Sequence, residues 1–369
     1  MGKLFFLNSC GFWGGGEKWT LDTARELDNR GHDVYIGGLP GAPLLKKAKG
    51  AGITTRAVKV KSGISSLNPV KVLKLARFLT RASIDGLFMN LSRDLKFGCA
   101  AGNLAGLEKI IYRRGLDRPI KNRFYNKLLL NKMTTNIIAN SKSTKKSILK
   151  NTREWLNPDK IAVIPNGLKI QDVDKSISKA NSLLESYPDI EHEDKLILGN
   201  VGRLTEQKGQ DILLKTAREL ENYDFNDFLI LIIGDGELND ELQKMSVDLG
   251  LEEKILFLGY QEQSRVYQLM AEFDFLVHPA RWEGFGYVLI ESMAAGTPVI
   301  AADKSNIAEI IENGKNGYLV DSLNPSEFAS KILELKDRDL SDVIENARSF
   351  VEDNYSRAKV IKEIEKLIL

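Results

Sequence analysis

The sequence predicts an α/β protein with two Rossmann-like parallel-sheet domains that face each other across a cleft. Short apolar runs alternate with amphipathic helical segments in both halves of the chain, which is the pattern of an open parallel sheet covered by helices. The alternation stops once, in the polar stretch 171–194, and then restarts. The chain of 369 residues is also long enough to form two separate cores.

The apolar runs predict the strands in order along the chain. In the first half, we expect strands near 3–9, 33–39, 54–60, 86–90, 109–113, 135–141 and 161–165. The clearest helices between them are predicted over 17–30, 68–81 and 121–132. In the second half, we expect strands near 196–202, 228–234, 255–259, 275–279, 298–302 and 317–320. Helical patterns then fill 325–335, 339–353 and 356–369.

These elements divide the chain into a first domain over 1–170, a linker over 171–194 and a second domain over 195–355. In an open α/β sheet, ligands bind beyond the carboxyl ends of the strands. We therefore expect the functional residues in the loops that follow strands, on both sides of the cleft.

The composition is typical of a globular protein outside the membrane. No apolar run approaches the ~18 residues of a spanning helix. The strand predicted at residue 3 leaves no room for a signal peptide, and the two cysteines, Cys10 and Cys99, are typical of free thiols in a reducing compartment. We therefore expect a cytoplasmic protein.

The near-neutral net charge of +2 conceals a strong asymmetry. Residues 1–170 contain 31 lysines and arginines against 11 acidic residues, whereas 171–369 contain 21 against 39. A basic first half suits an anionic partner such as a membrane face or a phosphorylated glycan. Nucleic acid ranks last, because no basic motif with interleaved aromatic residues is present. Attraction between the two halves of the molecule would explain the same asymmetry.

Three glycines, Gly14, Gly15 and Gly16, follow the first predicted strand and precede a helix. Glycines let the backbone approach a ligand closely, and a helix N-terminus favours an anion. A dinucleotide-binding site has a similar loop, but it requires an acidic residue at the end of the second strand. That strand ends in Gly37–Leu39, so we reject a dinucleotide site.

A second candidate anion site follows the first strand of the second half, where Gly202, Arg203 and Lys208 lie between a strand and a helix. A lysine in the predicted first helical turn opposes the helix dipole unless an anion is bound there. Arg203 can bind the same anion in bidentate fashion. Alternatively, both cations pair with Glu206 and bind no ligand.

The segment Ala280–Ala302 carries two carboxylates, Glu283 in a turn and Glu291 inside the following helix. They are separated by roughly 7–10 Å along the helix. Backbone amides at a helix start can bind phosphate or sugar oxygens. Those amides belong to Gly284, Phe285, Gly286, Tyr287 and Val288. Either glutamate alone is equally explained as a helix cap or a solvated side chain, but the complete string is far more specific.

This string resembles the donor-binding segment of the family-4 retaining glycosyltransferases of GT-B fold. The same family has an Arg and a Lys at the spacing of Arg203 and Lys208, and a Gly-Gly pair followed by Glu, as at Gly15–Glu17. The resemblance implies an enzyme that moves a sugar from a nucleotide-diphosphate sugar to a hydroxyl of a glycan or lipid-linked acceptor. It implies a role in cell-envelope polysaccharide or lipopolysaccharide synthesis, with no metal and no other cofactor.

The resemblance also implies a role for each matching residue. Glu291 should bind the ribose hydroxyls, and Glu283 a hydroxyl of the donor sugar. Arg203, Lys208 and the Gly14–Gly16 loop should stabilise the diphosphate as it leaves. Later strand ends should form the nucleobase site, including Leu258 and Tyr260. The final helix, 356–369, should pack back on the first domain.

The acceptor side is less distinctive. Asp94 follows the fourth predicted strand and could orient an acceptor hydroxyl or support the developing sugar cation. Alternatively, Ser92 caps a helix and Asp94 serves only its first turn. Many relatives have a His near this position, and this chain does not.

A basic run with an interleaved apolar face follows the fifth predicted strand. Its cations are Arg113, Arg114, Arg118, Lys121, Arg123 and Lys127. The pattern predicts an amphipathic helix on an anionic membrane or, equally, an ordinary surface helix.

Three other functions fit the same fold. A phosphorylase would carry a lysine-bound pyridoxal phosphate, which an absorbance scan would reveal. A sugar-nucleotide epimerase would interconvert its nucleotide sugar without any acceptor. A non-catalytic adaptor would be expected to have lost at least one of Arg203, Lys208, Glu283 and Glu291, and all four are present. We therefore predict a catalytically active glycosyltransferase.

Overall fold

The computed structural model describes residues 1–60, 68–178, 194–321 and 323–368. The chain divides into two compact units, each built around one parallel sheet. The first unit contains Met1–Gly167 together with Arg357–Leu369, and the second contains Leu168–Ser356.

Within its described residues, the first unit has seven parallel strands in the order β3-β2-β1-β4-β5-β6-β7. The strands are Lys3–Leu7 (β1), Asp33–Gly38 (β2), Thr54–Ala57 (β3), Gly86–Met89 (β4), Lys109–Arg114 (β5), Asn136–Ala139 (β6) and Ile161–Val163 (β7). The helices among them are Gly15–Asn29 (α1), Pro43–Gly50 (α2), Pro69–Arg81 (α3), Ser92–Leu104 (α4), Phe124–Lys127 (α5) and Lys142–Leu149 (α6).

The core of the first unit lies on both faces of this sheet, because successive side chains of a strand point to opposite faces. Phe5 and Leu7 of β1 belong to one buried cluster, and Leu4 and Phe6 belong to the other. Phe6 stacks on Phe88 of β4 with ring centroids 4.5 Å apart. Burial on both faces explains why β1 reads as a continuous apolar run.

In the part of the second unit that the structure describes, six parallel strands have the order β10-β9-β8-β11-β12-β13. They are Leu196–Val201 (β8), Phe228–Ile233 (β9), Ile255–Gly259 (β10), Phe275–His278 (β11), Val299–Ala302 (β12) and Tyr318–Val320 (β13). The helices are Ile170–Ile177 (α7), Gln210–Asn222 (α8), Asn239–Asp248 (α9), Gln263–Met270 (α10), Tyr287–Ala295 (α11), Ile307–Ile310 (α12), Pro325–Leu335 (α13) and Ser341–Tyr355 (α14).

Every strand expected from the sequence is present, and the helices depart from expectation in three places. The helix predicted over 17–30 begins at Gly15, so two of the three glycines lie in its first turn. The helix predicted over 121–132 is a short α-helix, α5, followed by a π-helical segment, Leu128–Met133. Part of the predicted linker is helix α7 of the second unit, while 179–193 lies outside the described residues.

The final helix, Arg357–Ile368 (α15), packs within the first unit. Its buried side chains Val360, Ile361 and Ile364 join the cluster that contains Leu4 and Phe6 of β1. Two ion pairs connect it to the region of α1: Arg357 to Asp22 and Glu365 to Arg30, each at 2.8 Å. The last residues of the chain therefore complete the core formed by the first residues.

Across the described ranges, no helix has both the length and the apolar content needed to cross a membrane.

We predict that Ile364→Ala destabilises the first unit by about 2–5 kcal/mol, because it leaves a cavity beside β1. Hydrogen exchange should show faster amide exchange in β1 and α1 than in the wild type. Lys362→Ala, an exposed change in the same helix, serves as the control. Equal protection of β1 in the two variants would show that α15 contributes little to this core.

Candidate functional site

The segment predicted to bind the donor forms a strand, a loop and a helix in the second unit. The loop after β11 ends at Gly286, which has a φ of +94° and directly precedes α11. The helix ends at Ala295 and is followed by Gly296, which has a φ of +86°. Because the N-cap residue Gly286 has no side chain, the amides at the helix start have no side-chain cap.

Glu283 in this loop is buried, with 5% of its surface exposed. It forms an ion pair with Nζ of Lys208, and its Oε1 lies 3.1 Å from Nε2 of His278. Burial alone would raise the pKa of Glu283, but Lys208 and His278 lower it to about 2. Glu283 is therefore a carboxylate at every physiological pH, and it can only accept hydrogen bonds.

His278 is the last residue of β11 and is 1% exposed. Burial lowers its pKa, so the imidazole is neutral at pH 7. Because the Glu283 carboxylate can only accept hydrogen bonds, Nε2 of His278 must carry the proton and donate a hydrogen bond to Glu283. The opposite nitrogen, Nδ1, is buried and has no hydrogen-bond partner among the described residues.

Lys208 does not lie in the first turn of α8, as the sequence suggests. It ends a single 3-10 turn, Glu206–Lys208, and is separated from α8 by Gly209. The predicted alternative, a pair between Lys208 and Glu206, is wrong, because the ion pair of Lys208 is with Glu283. The charge of Lys208, which precedes α8, is thus compensated by a carboxylate from a loop distant in sequence.

The loops after β8 and β11 are held together by several further contacts. Nε2 of Gln207 donates to the carbonyl of Trp282 at 2.9 Å, and the amide of Arg281 donates back to the carbonyl of Gln207 at 2.9 Å. Arg281 also forms a bidentate pair with Asp211, at 2.8 and 2.7 Å. These contacts fix the two loops that bring Lys208 and Glu283 together.

Gly209 allows this approach of the two loops. Its φ is +69°, and a Cβ atom there would lie 2.1 Å from the carbonyl oxygen of Pro279. Any other residue would therefore be strained and would push apart the loops after β8 and β11.

The predicted cation Arg203 is exposed, and its backbone carbonyl accepts a hydrogen bond from Gln210 at 3.1 Å. The preceding Gly202 lies against Gly234, the residue that follows β9: a Cβ atom on Gly234 would come 1.9 Å from the carbonyl oxygen of Gly202. The backbone on both sides of Arg203 is thus fixed, while its guanidinium reaches solvent.

Glu291 lies inside α11 and is 5% exposed. Its Oε1 accepts hydrogen bonds from Tyr267 and Gln263, both at 3.4 Å and both on α10. Neither Tyr267 nor Gln263 is a partner of Glu283 in the contacts that fix the Lys208 loop. The two carboxylates of the segment therefore have separate surroundings, one beside a lysine and one beside α10.

Other predicted donor residues divide into buried and exposed side chains. Phe285 and Val288 are core residues, 5% and 7% exposed, so a ligand can meet only their backbone. Gly284 lies in the loop before α11, and Tyr287 is the first residue of that helix. After β10, Tyr260 is 57% exposed, whereas the carbonyl of Leu258 accepts from Gln261 at 2.6 Å.

In the first unit, the glycine-rich loop is positioned by residues that the sequence analysis did not identify as a site. Asn90 donates to the carbonyl of Gly16 at 3.0 Å, and Arg113 donates to Asn90 at 2.9 Å. Gly14 is the N-cap residue of α1, and the helix, which begins at Gly15, has no side-chain cap. Glu17, next in sequence, is 4% exposed, and burial raises its pKa. The position of Arg113 in the basic run suggested a surface role, but it is buried.

Asp94 was predicted to contact the acceptor, but its side chain is fully buried. It accepts hydrogen bonds from the amide of Ser9 at 3.1 Å, from the Ser9 hydroxyl and from the amide of Leu91 at 3.3 Å. Burial raises the pKa of Asp94 to about 6. These contacts hold the loop after β1, so we reassign Asp94 from the chemistry to the positioning of that loop. The helix begins after Leu91, so Ser92 is not its cap.

Two family models match the chain, one in each half. The model described as Glycosyltransferase Family 4 matches residues 13–172, and the model described as Glycosyl transferases group 1 matches residues 186–356. Together they include the glycine-rich loop, the Lys208–Glu283 pair and Glu291.

Individual proteins are similar to this chain. An uncharacterized glycosyltransferase of Methanocaldococcus jannaschii is 33% identical over 62% of this chain and 58% of its own length. A Campylobacter jejuni enzyme, named as a diphospho-undecaprenol 4-alpha-N-acetylgalactosaminyltransferase, is 28% identical over 82% of this chain and 80% of its own length.

Among solved structures, HepE of Anabaena, determined with UDP and glucose, has a TM-score of 0.83 and 22% identity over 99% of both chains. That likeness concerns the fold, two parallel-sheet Rossmann-like units. With the family models in both halves and the fold of known glycosyltransferases, the chain belongs to the family-4 glycosyltransferases of GT-B fold.

Proposed function

We propose that this glycosyltransferase moves a sugar from a nucleotide-diphosphate sugar to a hydroxyl of a glycan or lipid-linked acceptor, with retention of anomeric configuration. The observation that carries the proposal is the buried Lys208–Glu283 pair, which lies between the starts of helices α8 and α11. It offers a fixed acceptor for hydroxyl groups next to a fixed cation for phosphate.

In this proposal, Glu283 binds a hydroxyl of the donor sugar. The low pKa of its carboxyl supports that role, because an ionised carboxylate accepts a hydroxyl proton in a hydrogen bond and cannot act as a general acid. The neutral His278 behind it orients the carboxylate. Glu291 binds the ribose hydroxyls, alongside Tyr267 and Gln263 of α10.

Arg203 and Lys208 stabilise the nucleoside diphosphate as it leaves. Cations aimed at developing charge in a site with little water are worth more than in bulk solvent. The uncapped start of α11 adds backbone amides that favour anions. We propose that these groups make a metal unnecessary for the departure of the diphosphate.

In this proposal, the anomeric configuration is retained because the acceptor hydroxyl attacks the sugar from the same face from which the diphosphate departs. The anomeric carbon loses its bond to the phosphate oxygen and gains one to the acceptor oxygen. The acceptor proton passes to the departing phosphate, so no protein nucleophile is required. The Ser9-bound Asp94 then contributes by positioning the loop after β1.

The acceptor is proposed from charge and similarity together. The first 170 residues carry a net charge of +20, which suits an anionic acceptor or an anionic membrane surface. The name of the Campylobacter jejuni relative describes a diphospho-undecaprenol-linked acceptor. We therefore place this enzyme in cell-envelope glycan synthesis, in the cytoplasm and at the inner face of the membrane.

The proposal is tested first with a panel of nucleotide sugars. A true donor at 100 times its dissociation constant adds about 2.7 kcal/mol to the free energy of unfolding and raises the melting temperature accordingly. Incubation of that donor with an acceptor glycan should give a product with the donor's anomeric configuration by NMR. An inverted product would refute retention, and conversion of the nucleotide sugar without acceptor would indicate an epimerase.

We predict that Arg203→Ala and Lys208→Ala lower kcat by about 10²–10³-fold, because they remove charge that stabilises the departing diphosphate. Glu291→Gln should act chiefly through KM for the donor, because the ribose does not react. Steady-state kinetics with one donor and one acceptor separate the two effects. Lys215→Ala, an exposed lysine on α8, is the matched control. An equal loss of kcat in Glu291→Gln and Lys208→Ala would contradict these roles.

We predict a pH-dependent stability effect for Asp94→Asn. Because the pKa of Asp94 in the folded state, about 6, exceeds its ordinary value of 3.8, the protonated carboxyl favours the folded state, and this contribution is lost as the pH rises through 6. Relative to Asn, the wild type should lose about 2 kcal/mol of unfolding free energy between pH 4 and pH 7. Denaturant unfolding at both pH values measures this. Asp159→Asn, at an exposed site in the same unit, controls for loss of one acidic group. A difference between wild type and Asp94→Asn that does not change with pH would refute the prediction.

A further inference from the structure

The first unit contains a cavity that the proposed donor site does not use. Its volume is about 210 Å³, and it lies among α4, the end of β5 and the segment 119–130. The side chains of Lys96, Arg114 and Lys121 line it together with Tyr112 and Tyr125. Its lining, all within the described residues, includes three cations and no carboxylate.

Arg114 is the most unusual member of this lining. It is 8% exposed, and among the residues that the structure describes its guanidinium donates only to neutral oxygens: the Tyr112 hydroxyl at 3.3 Å and the carbonyl of Arg118 at 2.7 Å. Its Nε is buried without a hydrogen-bond partner among the described residues. A buried charge without a counterion is costly, and an anion in the cavity would supply that counterion.

Asp117 is the acidic residue nearest to Arg114 in sequence, and its carboxylate is held by α6. It accepts hydrogen bonds from Ser143, at 2.5 Å, and from Ser147. It is not among the residues that line the cavity. Lys96, the second cation, lies 4.6 Å from the ring centre of Tyr125 at the rim. The positive charge of the cavity is left for a ligand.

Size and surroundings indicate the kind of anion. One water molecule occupies about 30 Å³ in the liquid, so the cavity has room for a group of several heavy atoms, such as a phosphate or a diphosphate. Large apolar side chains are exposed on this segment, Phe124 at 82% and Leu128 at 40%, and just before it, Leu116 at 59%. A basic cavity beside exposed apolar groups suits a molecule with a phosphate head and an apolar chain.

We propose that this cavity binds the phosphate or diphosphate group of a lipid. The lipid is either the diphosphate-linked acceptor itself or a phospholipid of the bilayer. The proposal deepens the acceptor part of the proposed function and rests on it only for the identity of the lipid. Arg114 and the two lysines would hold the phosphate oxygens, while Phe124 and Leu128 would contact the chain.

The test measures binding to the full chain without any nucleotide sugar. Calorimetry with farnesyl diphosphate probes a diphosphate on an apolar chain, and inorganic diphosphate probes the head alone. Co-sedimentation compares vesicles of phosphatidylglycerol with vesicles of phosphatidylcholine. Because no donor is present, failure here leaves the transferase proposal intact, and an inactive transferase leaves the binding result intact.

The decisive variant is the double change Lys96→Gln/Lys121→Gln, which touches half-buried and exposed side chains and preserves the buried Arg114. The loss of two charge-assisted contacts should lower the affinity for farnesyl diphosphate at least ~10-fold. Lys132→Gln/Lys150→Gln removes the same charge from exposed sites of the same unit and should change affinity less than ~2-fold. Arg114→Gln, if folded, should abolish binding.

The possible outcomes distinguish between the two candidate lipids, a diphosphate-linked lipid and a bilayer phospholipid. Farnesyl diphosphate binding that the decisive variant loses supports a diphosphate-linked lipid. Loss of phosphatidylglycerol binding alone, without farnesyl diphosphate binding, supports a bilayer phospholipid. Equal losses in the decisive and control variants would overturn the cavity and leave only diffuse attraction to a basic surface. Binding lost in Lys208→Ala but not in the decisive variant would also overturn it, because the probe would then occupy the donor site.

Discussion

The ion pair between Lys208 and Glu283 is the interaction on which the candidate donor site depends. A carboxylate and an ammonium group removed from water are each costly, and only close pairing and further hydrogen bonds offset that cost. Here, the neutral His278 supplies such a bond, and Gln207 and Arg281 hold the two loops at the required separation. Removal of either charged partner would leave a buried charge uncompensated, so the pair constrains both loops at once.

The first unit handles its buried charges differently. Asp94 lies among hydrogen-bond donors, mainly backbone amides and a hydroxyl, and Arg113 lies between the amide oxygens of Asn90 and Asn166 and against the ring of Trp19. Neutral groups supply these hydrogen bonds, whereas Glu283 in the second unit is paired directly with Lys208.

The two candidate anion sites also differ in how rigid their frames are. In the second unit, the left-handed Gly209 and the close contact at Gly234 leave no room for larger residues. In the first unit, one side of the cavity is formed by irregular structure: the short helix α5 and the π-helical segment Leu128–Met133 that follows it. A site built on tight parallel-strand loops suits precise chemistry, whereas an irregular, basic segment suits a lipid whose position varies.

The residue pattern alone settles the thirteen strands, the two α/β halves and the donor segment, because strand periodicity, glycine turns and the Glu283–Glu291 spacing are local properties. The residue pattern does not determine which charged side chains form ion pairs with one another. Lys208 and Glu283 are 75 residues apart, and the alternative partner, Glu206, is much nearer in sequence. Likewise, the burial of Asp94 and the lack of a counterion for Arg114 depend on neighbours from other strands and helices. Long-range packing decides these pairings, because the cost of burying a charge is set by everything that surrounds it.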